Sequence, residues 1–262
     1  MRALRGVIIF LGLIAIWEAI VLIAGLPPYI LPGPWAVLVR GVQDWRLLLD
    51  HGLLTATEVV SGLFLGALLG AVAALAMAYI RGIRHWLMPV LVISQAIPVF
   101  ALAPILVLWL GYGIESKIAM AVIVIFFPVV AAFFDGLRRT DPGWLDLAVT
   151  MGGSRWTILS EIRIPAALPA LASGLRVATA LAPIGAVIGE WVGSSAGLGF
   201  LMLHANARVQ TDQMFAALFA LGLFAVALYY AVDSALRFLL PWQPDAEPGD
   251  AFPSNTAFGE RS

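Results

Sequence analysis

Apolar residues in this chain run in long blocks, and polar residues collect in the short stretches between them. Six blocks stand out, at 7–25, 57–79, 89–110, 118–134, 169–189 and 215–240. Each approaches the ~20 apolar residues that a helix needs to cross hydrocarbon. The pattern predicts an all-α integral membrane protein with about six transmembrane helices. The first block, "VIIFLGLIAIWEAIVLIAG", is followed by "LPPYILPGP" and not by a small-residue cleavage site, so it reads as a retained helix. Four regions follow: an amino-terminal helix (1–26), an external amphipathic segment (27–56), a core (57–242) with a polar connector (135–168), and a polar tail (243–262). The tail carries proline and few apolar residues, and is expected to be disordered.

Composition supports the membrane reading. Hydrophobic residues make up 61% and charged residues 12%, about half the charge of a soluble domain. A net charge of -1 gives no nucleic-acid signal. Cysteine is absent, which excludes disulfides and thiolate metal sites. His51, His85 and His204 are far apart and form no metal spacing. With the amino end inside, Arg2, Arg5, Arg81, Arg84, Arg138, Arg139, Arg155, Arg163 and Arg237 fall inside, and Arg40, Arg46, Lys117 and Arg208 outside. Nine against four places both termini, and the connector between blocks four and five, in the cytoplasm.

Several positions carry local signals. Pro34 suits the first position of a helix, and Trp35, Val39 and Trp45 suggest an amphipathic helix, either near the membrane interface or packed on the bundle. Gly62, Gly66, Gly70, Ala74 and Ala78 recur every four residues and form a face of small side chains, suited to close helix packing within the chain or between subunits. Pro98 and Pro104 interrupt block three. Ser94 and Gln95 stand one turn before Pro98, and Gln95 faces either a pathway or a neighbouring helix. Glu18, Glu58 and Asp233 are acids in or near blocks without matching bases; Glu58 and Asp233 are expected near a hydrated interface, and the three read as structural.

The connector is the polar island of the chain: "DLAVTMGGSRWTILSEIRIPAALP", 146–169. It predicts a short helix, a turn at Gly152 and Gly153, and a second helix capped by Ser154. Trp156, Leu159 and Ile162 share one side of that helix, and Pro165 is expected to end it. An apolar ridge with a charged rim suits docking into another protein's groove; a loop folded against its own bundle is the alternative.

These residues resemble the cytoplasmic signature loop of permease subunits in binding-protein-dependent ABC importers. The family pattern is Glu-Ala-Ala, three residues, Gly, nine residues, Ile, one residue, Leu-Pro. Here it appears as Asp146-Leu147-Ala148, then Gly152, then Ile162-Arg163-Ile164-Pro165. The resemblance implies a type I ABC importer permease fold in the bacterial inner membrane. It implies a second permease copy, usually identical, and two cytoplasmic ATP-binding subunits that hold ATP and Mg. A periplasmic or lipoprotein substrate-binding protein is the remaining partner. The connector, with Trp156, would seat a coupling helix on the ATPase. "LPGP", "IPVFALAPILVLWLGYG" and "GEWVGSSAGLGFLMLHANARVQTD" resemble the branch handling nitrate, sulfonate, taurine and thiamine-precursor solutes. "FFDGLRRTDPGW" and the stretch from Ser94 look most like permeases assigned to thiamine pyrimidine precursors, with sulfonate, taurine or nitrate as alternatives.

Two readings stand beside the resemblance. Lys117 is the single lysine, and "GYGIESKIAM" is not a phosphate-binding loop, so any ATP hydrolysis belongs to another polypeptide. Glu190 sits where block five meets the surface, and Ser194 and Ser195 adjoin Gly193 and Gly197 in a tight turn, suited to an outer gate. Trp191 suits a gate or an interfacial anchor. An ion-coupled secondary transporter is the alternative from another class; it needs coupling groups at mid-membrane, and those are sparse here.

Overall fold

The structure, a computed structural model, describes residues 2–242. The expected tail, 243–262, lies outside the described residues. Eleven α-helices follow one another, with no strand among the described residues: α1 (Arg2–Ala24), α2 (Pro34–Gln43), α3 (Trp45–Tyr79), α4 (Arg81–Ala96), α5 (Val99–Leu110), α6 (Ile114–Arg138), α7 (Pro142–Thr150), α8 (Arg155–Ile158), α9 (Ile164–Gly193), α10 (Leu198–Ala207) and α11 (Thr211–Leu239). A π-helical turn, Leu159–Arg163, joins α8 to α9.

Four helical stretches are long and apolar enough to cross a membrane: Trp45–Tyr79, Ile114–Arg138, Arg155–Gly193 and Thr211–Leu239. A fifth crossing is reached if α4 and α5 count as one; they meet at a bend of 105°. The chain is thus an all-α, multi-pass membrane protein with four to five clear spans. Block three is not one continuous helix. The break falls at Ile97–Pro98, whereas Pro104 lies inside α5. Proline lacks the N–H of the ladder, and Pro98 sits as the N-cap of α5, where that donor is not needed. α3 begins at Trp45, twelve residues before block two. Only its distal part is continuously apolar, so hydropathy misses the polar turns around Asp50 and His51.

The core is built from α3, α6 and α9. Lipid supplies little hydrophobic drive for helix association, so close backbone approach must hold them. Gly62, Gly66 and Gly70 of α3 press on Ala121, Ile125 and Val129 of α6, which assigns the small-residue face to packing within the chain. Ala121 is also pressed from the other side by Gly185 of α9. A Cβ at Gly185 would lie 2.7 Å from the Ala121 Cα. Gly185→Ala should therefore destabilise the chain by about 1–3 kcal/mol, although alanine is the better helix former. A thermal melt in detergent as high as that of the unchanged protein would contradict this packing.

The acids depart from expectation. Glu58 is fully buried, not hydrated. Asp233 has bases beside it: Arg176 of α9 donates from Nε at 2.6 Å, and Arg237 one turn on at 2.9 Å. An intramembrane charge is stabilised by an opposite charge at the same depth, and here the pair ties α9 to α11. Glu18 of α1 lies beside Gly33, and Trp17 stacks on Phe215 and Phe219 of α11.

Candidate functional site

The polar connector is ordered by its own capping groups. Asp141 accepts from the Gly143 N–H at 2.7 Å, and Pro142 opens α7. The helix ends where Gly152 turns left-handed (φ +80°), which only glycine adopts without strain. The Gly152 and Gly153 N–H groups donate to the carbonyls of Val149 and Ala148. Ser154 then accepts from the Thr157 N–H at 3.1 Å and caps α8.

The second helix does not stop at Pro165. The π turn Leu159–Arg163 carries the chain into α9, with Pro165 in the first turn of that helix. The Ile164 N–H reaches back to the Leu159 carbonyl, so the wider turn absorbs the donor that Pro165 lacks. The apolar side splits accordingly. Leu159 is buried against Ala74, Met77, Phe133 and Phe134, so part of the connector folds onto its own bundle. Ile162 and Ile164 are half-buried, and Asp146, Gly152 and Pro165 are exposed. Leu147 (61%), Met151 (79%) and Trp156 (61%) stay largely exposed, as do Trp144 and Val149. Ala148 is half-buried. Trp156 meets Tyr79 edge-to-face at 6.0 Å.

The residues named for a pathway fall in two places. Ser94, Gln95 and Pro98 lie on an exposed stretch at the α4–α5 break. Ser94 Oγ donates to the Leu91 carbonyl at 2.8 Å. Glu190, Ser194 and Ser195 lie at the far end of the bundle. Ser194 closes a small turn by donating to the Ala196 carbonyl at 2.6 Å, while Ser195 and Trp191 are exposed.

Glu190 is buried at the centre of a polar knot. Its Oε2 accepts from the N–H groups of Gly199 (2.5 Å) and Phe200 (3.3 Å), and its Oε1 accepts from Thr55 Oγ1 at 2.6 Å. The Thr55 oxygen accepts in turn from the Leu198 N–H at 2.8 Å. His51 Nδ1 stands 2.9 Å from the Gly197 N and stacks on Phe200. Together these groups satisfy the first amides of α10, which have no partner within the helix. Gly197, at φ +109°, is required here: a side chain would also overlap the Glu190 carboxyl.

Lys117 closes the opposite side. It is buried, and its Nζ donates to the carbonyls of Tyr112 (2.6 Å), Gly113 (2.9 Å) and Gly193 (2.5 Å). One ammonium thus saturates the terminal carbonyl of α9 and the link between α5 and α6. Glu58, Glu115 and Glu190 are within its electrostatic reach. Hydropathy alone missed this set. Lys117 passes as an external loop charge, and Thr55 and His51 as part of a polar segment. The available signal was a lone lysine beside an apolar block, on a chain with acids in other blocks.

Residues 62–243 match the family of binding-protein-dependent transport system inner membrane components. A probable ABC transporter permease protein of Haemophilus influenzae is 52% identical over 239 residues, covering 91% of this chain and 98% of its own. The formylaminopyrimidine transport permease protein ThiX of Halalkalibacterium halodurans is 36% identical, covering 92% and 97%. The riboflavin transport system permease protein RibX of Chloroflexus aurantiacus is 35% identical, covering 88% and 87%. Among solved structures, the MetNI methionine ABC transporter in inward-facing conformations superposes with a TM-score of 0.60 at 18% identity, over 73% of this chain and 96% of that one.

Proposed function

Because the chain belongs to the family of binding-protein-dependent transport system inner membrane components, we propose that its α7–α8 connector is the surface through which a separate ATPase drives it. The chain is a permease subunit of an ABC importer and does not itself hydrolyse ATP. The observation that carries the connector's role is its apolar exposure. Leu147, Val149, Met151 and Trp156 are uncovered on a capped, ordered hairpin, the first three on α7 and its C-cap and Trp156 in the first turn of the Arg155–Gly193 stretch. Asp146, Ala148, Gly152, Ile162, Ile164 and Pro165 belong to the same ATPase-coupling loop, with Gly152 making its turn. A partner's cleft is the natural cover for such a patch.

Six crossings accord with this reading: α1, α3, α4–α5, α6, α9 and α11. In support of the bent pair as a crossing, α4 begins beside Arg155 and Arg163, while the residue two beyond α5, Tyr112, meets Lys117. Both termini and the connector then face the cytoplasm. Two identical copies form the pathway, with Ser94, Gln95 and Pro98 lining it and Glu190, Ser194 and Ser195 at its outer gate. A substrate-binding protein delivers solute from outside. The solute is a pyrimidine precursor of thiamine, supported by the relative that carries formylaminopyrimidine; the riboflavin relative is almost equally similar and names the chief competitor.

The test of coupling is co-purification with the ATP-binding subunit. Met151→Asp with Trp156→Asp should weaken the complex by at least about 30-fold while leaving membrane insertion intact. Full recovery of the complex, or uptake without any ATPase, would remove the reading. For the solute, equilibrium binding to the cognate extracellular receptor should favour formylaminopyrimidine over riboflavin and taurine.

A further inference from the structure

A second polar feature adjoins the exposed ridge and lies apart from the buried knot. Where α3 gives way to α4, a cavity of about 430 Å³ opens against the connector. Tyr79, Ile80, Arg81, Arg155, Leu159 and Arg163 line it. Three arginines from three elements line it, and no carboxylate is among the lining residues. Among the described residues, none of the three arginines makes an ion pair. The Nε of Arg163 is buried without a hydrogen-bond partner. A buried donor of a permanent cation left in that state is costly.

The helix that starts at the cavity adds to the imbalance. α4 opens at Arg81 with no acidic residue in its first turn and no side-chain cap on Ile80. Its free N–H groups and positive dipole end favour an anion. The sequence instead places Arg81 and Arg84 there, which works against the dipole unless a negative group is shared. The depth is also informative. Tyr79 lines the cavity and is half exposed, and Trp86 in the second turn of α4 is 83% exposed. Amphipathic aromatics of this kind mark the headgroup level of a bilayer.

We propose that this cavity binds a phosphate anion, held by the forked donors of Arg81, Arg155 and Arg163 and by the amino end of α4. The phosphate comes either from an anionic lipid headgroup or from free phosphate. Because the cavity joins the α3–α4 corner to the connector, a bound phosphate would clamp the connector to the bundle. The site does not depend on which solute is carried.

The purified full-length protein in neutral detergent would be titrated with short-chain phosphatidylglycerol, short-chain phosphatidylcholine and inorganic phosphate, with thermal stability as the readout. Saturable stabilisation by phosphatidylglycerol alone assigns a lipid source; the same response to inorganic phosphate assigns a free anion. Phosphatidylcholine, whose cation offsets its phosphate, should have little effect. Arg163→Gln should weaken binding by about tenfold or more. Arg81→Gln, at an exposed helix end, should do so while leaving the ligand-free melt unchanged. The proposal is overturned if no probe saturates, if both variants bind like the unchanged protein, or if only the ATPase protects these arginines.

Discussion

Replacing Lys117 with methionine is expected to destabilise the folded chain by about 3–5 kcal/mol, the usual result of removing one partner from a buried charge cluster. Methionine fits the volume but donates no hydrogen bond. The carbonyls of Tyr112, Gly113 and Gly193 would then be left in a region that holds little water. The buried acids Glu58 and Glu190 would lose the cation within their reach. The end of α9 would separate from the α5–α6 link. Lys117→Arg should be intermediate, because a planar fork cannot reproduce three converging donors and Gly189 leaves little room beside the stem. Thermal unfolding in detergent and the amount of protein in the membrane measure both variants. A methionine variant that melts with the unchanged protein would show that the ammonium has no structural role.

Glu190→Ala is expected to cost about 2–4 kcal/mol, since three donors, two of them backbone amides, lose their acceptor at once. The affected groups are the Gly199 and Phe200 N–H and the Thr55 hydroxyl. Glu190→Gln should cost only about 1 kcal/mol. Its carbonyl can still accept from the α10 amides, and Thr55 can redirect its hydrogen to the His51 carbonyl, 3.2 Å away. The contrast between the two variants separates a capping role from a gating one. If Glu190 acts mainly as a cap, uptake should follow the quantity of folded protein in both. If it also gates, glutamine should lower uptake at full folded yield. Equal melts for alanine, glutamine and the unchanged protein would dismiss the cap.

The two variants bear on one physical point. Helix ends inside a membrane protein cannot rely on water, so their unpaired amides and carbonyls must meet side chains. Here α10 receives a carboxylate, a hydroxyl and an imidazole, and the end of α9 receives an ammonium. The same residues link α3, α6, α9 and α10, so the end of the bundle carrying the Ser194 turn moves as a unit or not at all.

Much of the architecture was present in the pattern of residues. Long apolar blocks predicted helices in a membrane, because no other local structure can satisfy its own backbone across hydrocarbon. The four-residue recurrence of Gly62, Gly66 and Gly70 predicted a close helix contact. The connector's turn at Gly152 and the cap at Ser154 were equally plain, since each depends on a few adjacent residues. The residues and spacing from Asp146 to Pro165 resembled the signature loop of the transporter family. Only the tertiary structure decided the rest: that block three breaks at Pro98 and not at Pro104, and by 105°, the helix that continues through Pro165, the pairing of Arg176 with Asp233, and the meeting of Lys117 with the end of α9. Caps and turns are set by neighbours in the chain, whereas a buried charge is placed by whatever opposite group the fold brings to the same depth. The carboxylate that meets Arg176 stands 57 residues away, and the Gly193 carbonyl that meets Lys117 stands 76 away, so no local pattern could announce either.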